Sequence, residues 1–512
     1  MTLKVKTSTG LSDVLDLKIK AESGTFTDVQ RLVQKQGDAL VSVWERDGVP
    51  PPPPPPALTP PVGVDPFILT VRVGNNDSFT IPIRQQSVTM SWIVDWGDGQ
   101  MNRVKTVPAL THPYTTAGDY RVRIYPATAS ATNWLWNFGT ARGSHWNSEA
   151  NRTDGNTDVT DPAVQANLDK IVGVDGVITP QMVASATDIA QGKVGDGVCS
   201  HWFFGCRNLT MSDTFTFSSD WNSITEVGGG FCYGMFMNCS GDQFTMGRAF
   251  NLPQNIQRIK SSGAIYLIPN WYQSPGYGFC TCMFYGCSGA AFNMNNVFTL
   301  PQTLIMLGAW FCESMFSGCS GNAFTMGAAF NMPQNITKLA APEDNSGMGH
   351  VCENMFSQCS GAAFTMNSVF QLPQGLLKAG LNTFARMFTT CSGALFTMNN
   401  IFTLPQVMID TSSGLANGMF SQCTGSGFQV GAAFRFPPLL TQQMLDMSGN
   451  LINVFHCWTN KTYHRQNRTI ASIINGLPAP SSAKGTFHTY DATQGANRWS
   501  DWDSIDSNWR TV

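Results

Sequence analysis

The sequence predicts a mainly β protein with short helices: a small N-terminal β segment, a β-sandwich, and a long solenoid with a parallel sheet. Three observations predict this. A Met-Phe-x-x-Cys-Ser-Gly-like signature returns about eight times in the C-terminal half. Ahead of it, short runs alternate apolar and polar residues between Gly- and Asn-rich turns, the pattern of half-buried strands. An unbroken run of seven prolines, Pro50 to Pro56, divides the first such runs from the rest.

Composition narrows the function. The chain has 512 residues, room for two to four domains at roughly 150 residues each. Only 13% of residues are charged and the net charge is −3, so no basic field points to nucleic acid. No window reaches the roughly 18 apolar residues of a membrane span. Met1 to Gly10 lacks the charged-then-apolar order of a secretory leader, so synthesis in the cytoplasm is expected. All 14 cysteines lie between Cys199 and Cys457, which suits a packing residue of the repeat better than a disulfide scaffold.

Residues 1–48 hold three strand–turn–strand units, each centred on a glycine: Gly10, Gly24 and Gly37. Seven basic and seven acidic residues balance there. So small a unit buries little core alone, so it is expected to oligomerise or to dock on a partner. Residues 49–65 form the linker. Polyproline II rises about 3.1 Å per residue and is semi-rigid, which makes a spacer rather than a hinge.

Residues 66–127 carry four alternating runs: Phe67–Val73, Ser78–Ile83, Val88–Asp95 and Tyr120–Tyr125. Between them stand Asp95-Trp96-Gly97-Asp98-Gly99 and Thr111-His-Pro-Tyr-Thr-Thr-Ala-Gly-Asp-Tyr120. These two elements resemble the PKD domain, an Ig-like sandwich that serves mostly as a spacer and adhesion unit. The resemblance implies a structural turn, with Gly97 and Gly99 at positive φ and the aspartates bonding backbone amides. Two carboxylates, Asp95 and Asp98, are few for the six to eight oxygens of a calcium site. Residues 128–195 are expected to lead into and cap the repeats, with a helix from Pro162 to Ile171.

Residues 196–460 hold about eight coils. The cysteines at 206, 239, 287, 319, 359, 391, 423 and 457 are 33, 48, 32, 40, 32, 32 and 34 residues apart. The basic period is thus near 32, with insertions before Cys287 and Cys359. Phe-Thr-Met-x-x-x-Phe or a close variant, and then Leu-Pro-Gln or Met-Pro-Gln, follow in five units. Such a repeat cannot bury its own apolar face, but stacked repeats share a continuous core of Phe, Met and Cys ladders. Five units carry a second cysteine seven residues earlier. On a helix that spacing is two turns, too long for a disulfide within one coil, while bonds between coils remain open. The segments Met315-Phe-Ser-Gly-Cys-Ser-Gly321 and Leu300-Pro-Gln-Thr-Leu-Ile-Met-Leu-Gly308 resemble BspA-like leucine-rich repeats, though these units are longer. Residues 461–512, ending in a Trp-rich stretch, are expected to cap the last coil.

Chemistry is scarce. His201, His456, Cys280 and Cys282 do not make paired Cys-x-x-Cys elements, so no metal is expected. No Gly-x-Ser-x-Gly elbow or phosphate-binding glycine motif appears, and an enzyme, a cofactor and nucleic-acid binding are not expected. The candidate binding surface is Trp271, Tyr272 and Tyr277 in the first insertion, set against a polar amide-rich face suited to a glycan or a protein. The N-terminal units are similar to the short hairpin repeats that open phage fibre and tail proteins. Display modules without a leader are resolved by a virion assembled in the host cytoplasm: a tail or head fibre, anchored to other virion proteins through residues 1–48. A bacterial surface adhesin is the alternative.

Overall fold

A computed structural model describes residues 58–84, 90–139, 161–259, 278–305, 307–337 and 349–411, with shorter stretches within 18–45 and 415–437. The chain divides into two compact units, residues 1–57 and 58–512. In the described residues, 18 short strands and a few short helices make the fold mainly β.

The first unit pairs β1 (Lys18–Lys20) with β2 (Phe26–Asp28), and β3 (Arg31–Gln36) with β4 (Ala39–Glu45), both antiparallel. The β3–β4 register pairs Gln36 with Ala39, leaving two residues between the strands, the spacing of a tight hairpin. A bulge at Leu32/Val33 interrupts it.

The second unit opens with β5 (Phe67–Val73), β6 (Asp77–Thr80), β7 (Trp92–Asp95), β8 (Met101–Val104), β9 (Thr111–Tyr114) and β10 (Gly118–Pro126). Along β5, Phe67, Leu69, Val71 and Val73 are buried and the residues between are not, as period-2 alternation requires. β10 lies between β5 and β7, β8 flanks β7, and β6 pairs separately with β9. The helix expected from Pro162 runs Pro162–Leu168 (α1), with Asp161 accepting the Ala163 amide as its N-cap and Pro162 at the first position.

After α1 comes β11 (Ile171–Asp175), which joins the sheet at the free edge of β5. Its other edge meets the repeats. The Thr210 amide donates to Val172 O at 3.1 Å, and the Val174 amide to Thr210 O at 3.1 Å. The Met211 amide donates in turn to Thr245 O at 3.2 Å. The sheet therefore runs on from the N-terminal strands into the coils. Three short parallel groups continue the stack: β12 (Val177–Ile178) with β14 (Thr216–Phe217); β13 (Lys193–Val194), β15 (Glu226–Val227) and β16 (Arg258–Ile259); and β17 (Lys378–Ala379) with β18 (Asp410–Thr411). One hydrophobic core extends from Phe67 to Phe434.

The Cys-x6-Cys segments are not helical, and the two-turn spacing considered from sequence does not apply. Each is a ribbon of overlapping turns. In the coil around Cys232, the amides of Tyr233, Met235, Met237 and Cys239 each donate to the carbonyl three residues back. The alternate amides of Cys232, Gly234, Phe236 and Asn238 donate to Phe279, Thr281, Met283 and Tyr285 of the next coil, at 2.7–2.9 Å. Every fourth residue is left-handed: Gly230, Gly234 and Asn238 here, and Trp310, Ser314 and Gly318 two coils on. Neither backbone polar group is left over in this arrangement.

Stacking at backbone distance lines up the side chains. Phe203, Phe236, Phe284, Phe316, Phe356, Phe388 and Phe420 form one stack with neighbouring centroids 5.3–5.6 Å apart. Phe244, Phe292, Phe324, Phe364 and Phe396 form a second. Phe215, Phe250, Phe298, Phe330, Phe370, Phe402 and Phe434 form a third. Rings of the first and third stacks meet edge to face, as Phe284 and Phe298 do at 87°. Such pairs add about 0.5–1.5 kcal/mol each beyond the area they bury.

The glycine of Cys-Ser-Gly is fixed by the same approach. A Cβ on Gly321 would lie 2.2 Å from Gly289 O, and one on Gly289 would lie 2.0 Å from Gly241 O. Gly321→Ala is therefore expected to cost about 1–3 kcal/mol through overpacking. A urea unfolding curve that matches wild type would show that the coils do not approach this closely.

Candidate functional site

The turn singled out by sequence connects β7 to β8. Gly97 and Gly99 adopt φ of 82° and 89°, the left-handed region open to glycine. Gly97 is further constrained because a Cβ there would lie 2.8 Å from Arg121 O. Asp95 accepts the Gly97 amide at 3.0 Å on one oxygen and Arg123 Nη1 at 2.9 Å on the other. Asp98 accepts the Gln100 amide at 3.0 Å and bonds His112 Nε2 at 2.8 Å. Trp96 stacks on His112 at 4.7 Å, and Tyr114 Oη donates to Trp96 O at 3.0 Å. All four carboxylate oxygens are thus committed, two to amides of the turn and two to Arg123 and His112 of the neighbouring strands, an arrangement that holds the corner.

The amide side chains are committed too. Gln302 Nε2 donates to Leu300 O of its own coil at 2.8 Å and to Asn331 O of the next at 3.3 Å. Gln254, Gln334, Gln374 and Gln406 repeat this staple. Asn399 Nδ2 donates to Asn367 O and Phe370 O at 2.7 and 2.9 Å, while its Oδ1 accepts the Ile401 and Phe402 amides. Much of the polarity that reads as a binding face in the sequence is spent satisfying carbonyls between coils.

The described cysteines, thirteen in all, are buried and free. Cys239, Cys287, Cys319, Cys359, Cys391 and Cys423 each donate Sγ–H to the ladder phenylalanine carbonyl of the preceding coil, at 3.0–3.2 Å. Burial holds these thiols above the usual range, and it pushes Cys280 up to about 11. Among the described residues no group of three or more His, Cys, Asp or Glu could hold a metal, and no helix is long and apolar enough to cross a membrane.

Of the other sequence-predicted positions, Trp271, Tyr272, Tyr277, His456, Cys457 and the cap at 461–512 lie outside the described residues. The place where the first insertion rejoins the stack is described. The Gly278 amide donates to Ala309 O at 3.0 Å, beside Trp310. The second insertion rejoins at Gly349, whose carbonyl accepts the Trp310 amide at 3.1 Å.

Around this junction is a cluster that the sequence reading did not single out. Trp310 and His350 stack in parallel, with ring centroids 5.4 Å apart and planes at 3°. Both are left-handed, at φ 52° and 59°. His350 Nδ1 bonds Glu353, which is 6% exposed and also pairs with Arg386 Nη1 at 3.5 Å. Glu313 occupies the same position one coil earlier. Among the described residues from 243 to 409, Glu313 and Glu353 are the only carboxylates. The signal lay in the register two residues before the first cysteine of each coil. That position reads Gly197, Gly230, Gly278, Trp310 and His350, so two bulky residues replace glycine.

No family model, no curated protein and no solved structure matches the chain.

The thiols generate a pH prediction. A native thiol pKa raised above its unfolded value contributes stability in full below about pH 8.5. That contribution is lost as pH rises, because only the unfolded chain ionises there. The urea midpoint is expected to fall between pH 8 and pH 10, with iodoacetamide labelling native thiols far more slowly than unfolded ones. Equal labelling rates would refute the burial of these groups.

Proposed function

We propose that this chain is a structural and binding protein of a bacteriophage virion, a tail or head fibre or decoration protein, rather than an enzyme. In this reading residues 1–48 anchor it to other virion proteins, the prolines space it, and the repeats contact the host surface. Residues 66–127 are a PKD-like sandwich, and residues 196–460 are a BspA-like leucine-rich-repeat solenoid.

The observation that carries the reading is the extensive internal use of the chain's polar groups. Backbone amides bond coil to coil, the Asn and Gln amides staple them, and the Asp95–Gly99 turn closes on itself. A scaffold spent in this way offers rigidity and a patterned surface, the requirements of a displayed binding element. The buried free thiols favour the virion over an exported adhesin, because reduced cysteines suit folding in a reducing cytoplasm. The hairpins of the first unit suit an anchor that gains its core from a partner or from further copies.

Deletion of residues 1–48 is expected to abolish incorporation into particles while residues 58–512 stay folded, read by particle purification and circular dichroism. Normal incorporation of the deleted chain would overturn the anchor assignment and the virion reading with it.

A further inference from the structure

We infer that two copies of this chain pair through one flank of the stack, formed by the coils of Cys287, Cys319, Cys359 and Cys391. The flank is the stretch of each coil that follows its cysteine: residues 288–298, 320–330, 360–370 and 392–402. In each stretch two phenylalanines and a methionine are buried, as Phe396, Met398 and Phe402 are. Strand alternation then turns the residues between them outward. The inference goes beyond the virion reading and does not depend on it.

The first support is what the outward positions hold. None of the four stretches contains a charged residue. They carry Ala, Asn, Ser and Thr, together with Val297, Val369, Leu395 and Ile401, all exposed, Leu395 to 62%. A solvated surface is ordinarily about a quarter to a third charged. Large apolar side chains gathered on a neutral surface mark a contact site. The neutrality also begins at a definite coil. In the two coils before, the same flank carries Asp213, Asp242 and Arg248, with Arg248 paired to Asp213 at 3.4 Å. Among the described residues from 287 to 409 the charges are Glu313, Glu353, Lys378 and Arg386, and all fall outside the four stretches.

The second support is spacing. Phe292, Phe324, Phe364 and Phe396, the inward residues of this flank, repeat at 5.3, 5.2 and 5.1 Å with ring planes 7–9° apart. The outward residues therefore run in nearly straight rows at the same interval.

Neutrality and spacing together select the occupant. A partner that touches all four coils must be uncharged along its contact and must repeat at this interval. A second copy meets both conditions by construction, whereas a polypeptide without the repeat falls out of register after one coil. An isologous contact sets a patch against itself, so a charged flank would repel its counterpart and this one does not. Rows of small side chains repeating in register also interdigitate closely when two such faces meet. A polyanion finds no cation here to hold it.

The test uses the full-length chain. Light scattering at micromolar concentration is expected to give the mass of at least two chains. Ala328 is exposed and belongs to one of the two middle coils, so it lies near its counterpart whichever way the two stacks run. Ala328→Cys is therefore expected to cross-link through a short bismaleimide. The described native thiols are buried, which makes wild type the blank. Lys378→Cys, exposed but off the flank, is expected to give little linked product. Val369→Arg with Leu395→Arg, added to Ala328→Cys, is expected to lose that product at an unchanged thermal midpoint, because both side chains are exposed. A single-chain mass would overturn the inference, as would equal linkage from Ala328→Cys and Lys378→Cys or a product that survives both arginines. An oligomer that fails to link through Ala328→Cys is held by another surface, such as residues 1–48, and overturns the flank as well.

Discussion

The rest of the structure depends on one constraint: the turn ribbon of each coil must satisfy alternate backbone amides on the coil that follows. That requirement brings successive backbones within hydrogen-bond reach at every second residue. The sequence pattern follows from it. Phenylalanines stack because their Cα atoms are already in register, and Gly241, Gly289 and Gly321 are glycine because a neighbouring carbonyl occupies the volume of a Cβ. Gln of Leu-Pro-Gln recurs because the chain turns away from the ladder there, and a side-chain amide must supply the missing donor.

The same constraint makes the beginning of the stack costly, and the N-terminal strands meet that cost. The first coil has carbonyls with no coil before them. Arg84 Nη1 donates to Gly197 O at 2.6 Å and to Ser200 O at 3.4 Å, and Gln165 Nε2 donates to Gly205 O at 2.8 Å. Arg84 is fully enclosed, and burial draws its pKa down to about 10. A guanidinium held there at that expense shows how strongly the exposed edge needs covering. With β11 paired on one side to β5 and on the other to Thr210, the strands and the coils share one sheet and one core.

Much of this was legible in the sequence. Period-2 alternation located β5 and β10, the Asp-Gly turn announced its positive φ, and the 32-residue recurrence identified Phe, Met and Cys as ladder residues. The ribbon of turns was not legible, because a seven-residue cysteine spacing places both thiols inward on a helix and on this ribbon alike. The distinguishing mark, a left-handed residue every fourth position, is hidden when Trp310, Arg386 or Thr390 stands where glycine would betray it. The join between β11 and Thr210 was hidden for a different reason: pairing across nearly forty residues leaves no local trace. The internal use of the Asn and Gln amides was not legible either, because composition reports polarity but not whether that polarity is already satisfied.

The direction of the inter-coil bonds has a consequence for symmetry. Within the turn ribbon each described coil presents carbonyls towards the coil before it and amides towards the one after, so this face of the stack has a direction. Along the ribbon, two copies meeting at like ends would oppose carbonyl to carbonyl or amide to amide, and neither pairing forms a ladder. Continuing the ribbon from one copy to the next would take head-to-tail contact, which propagates or closes as a ring. A two-fold contact between like ribbon ends would gain no such backbone pairing.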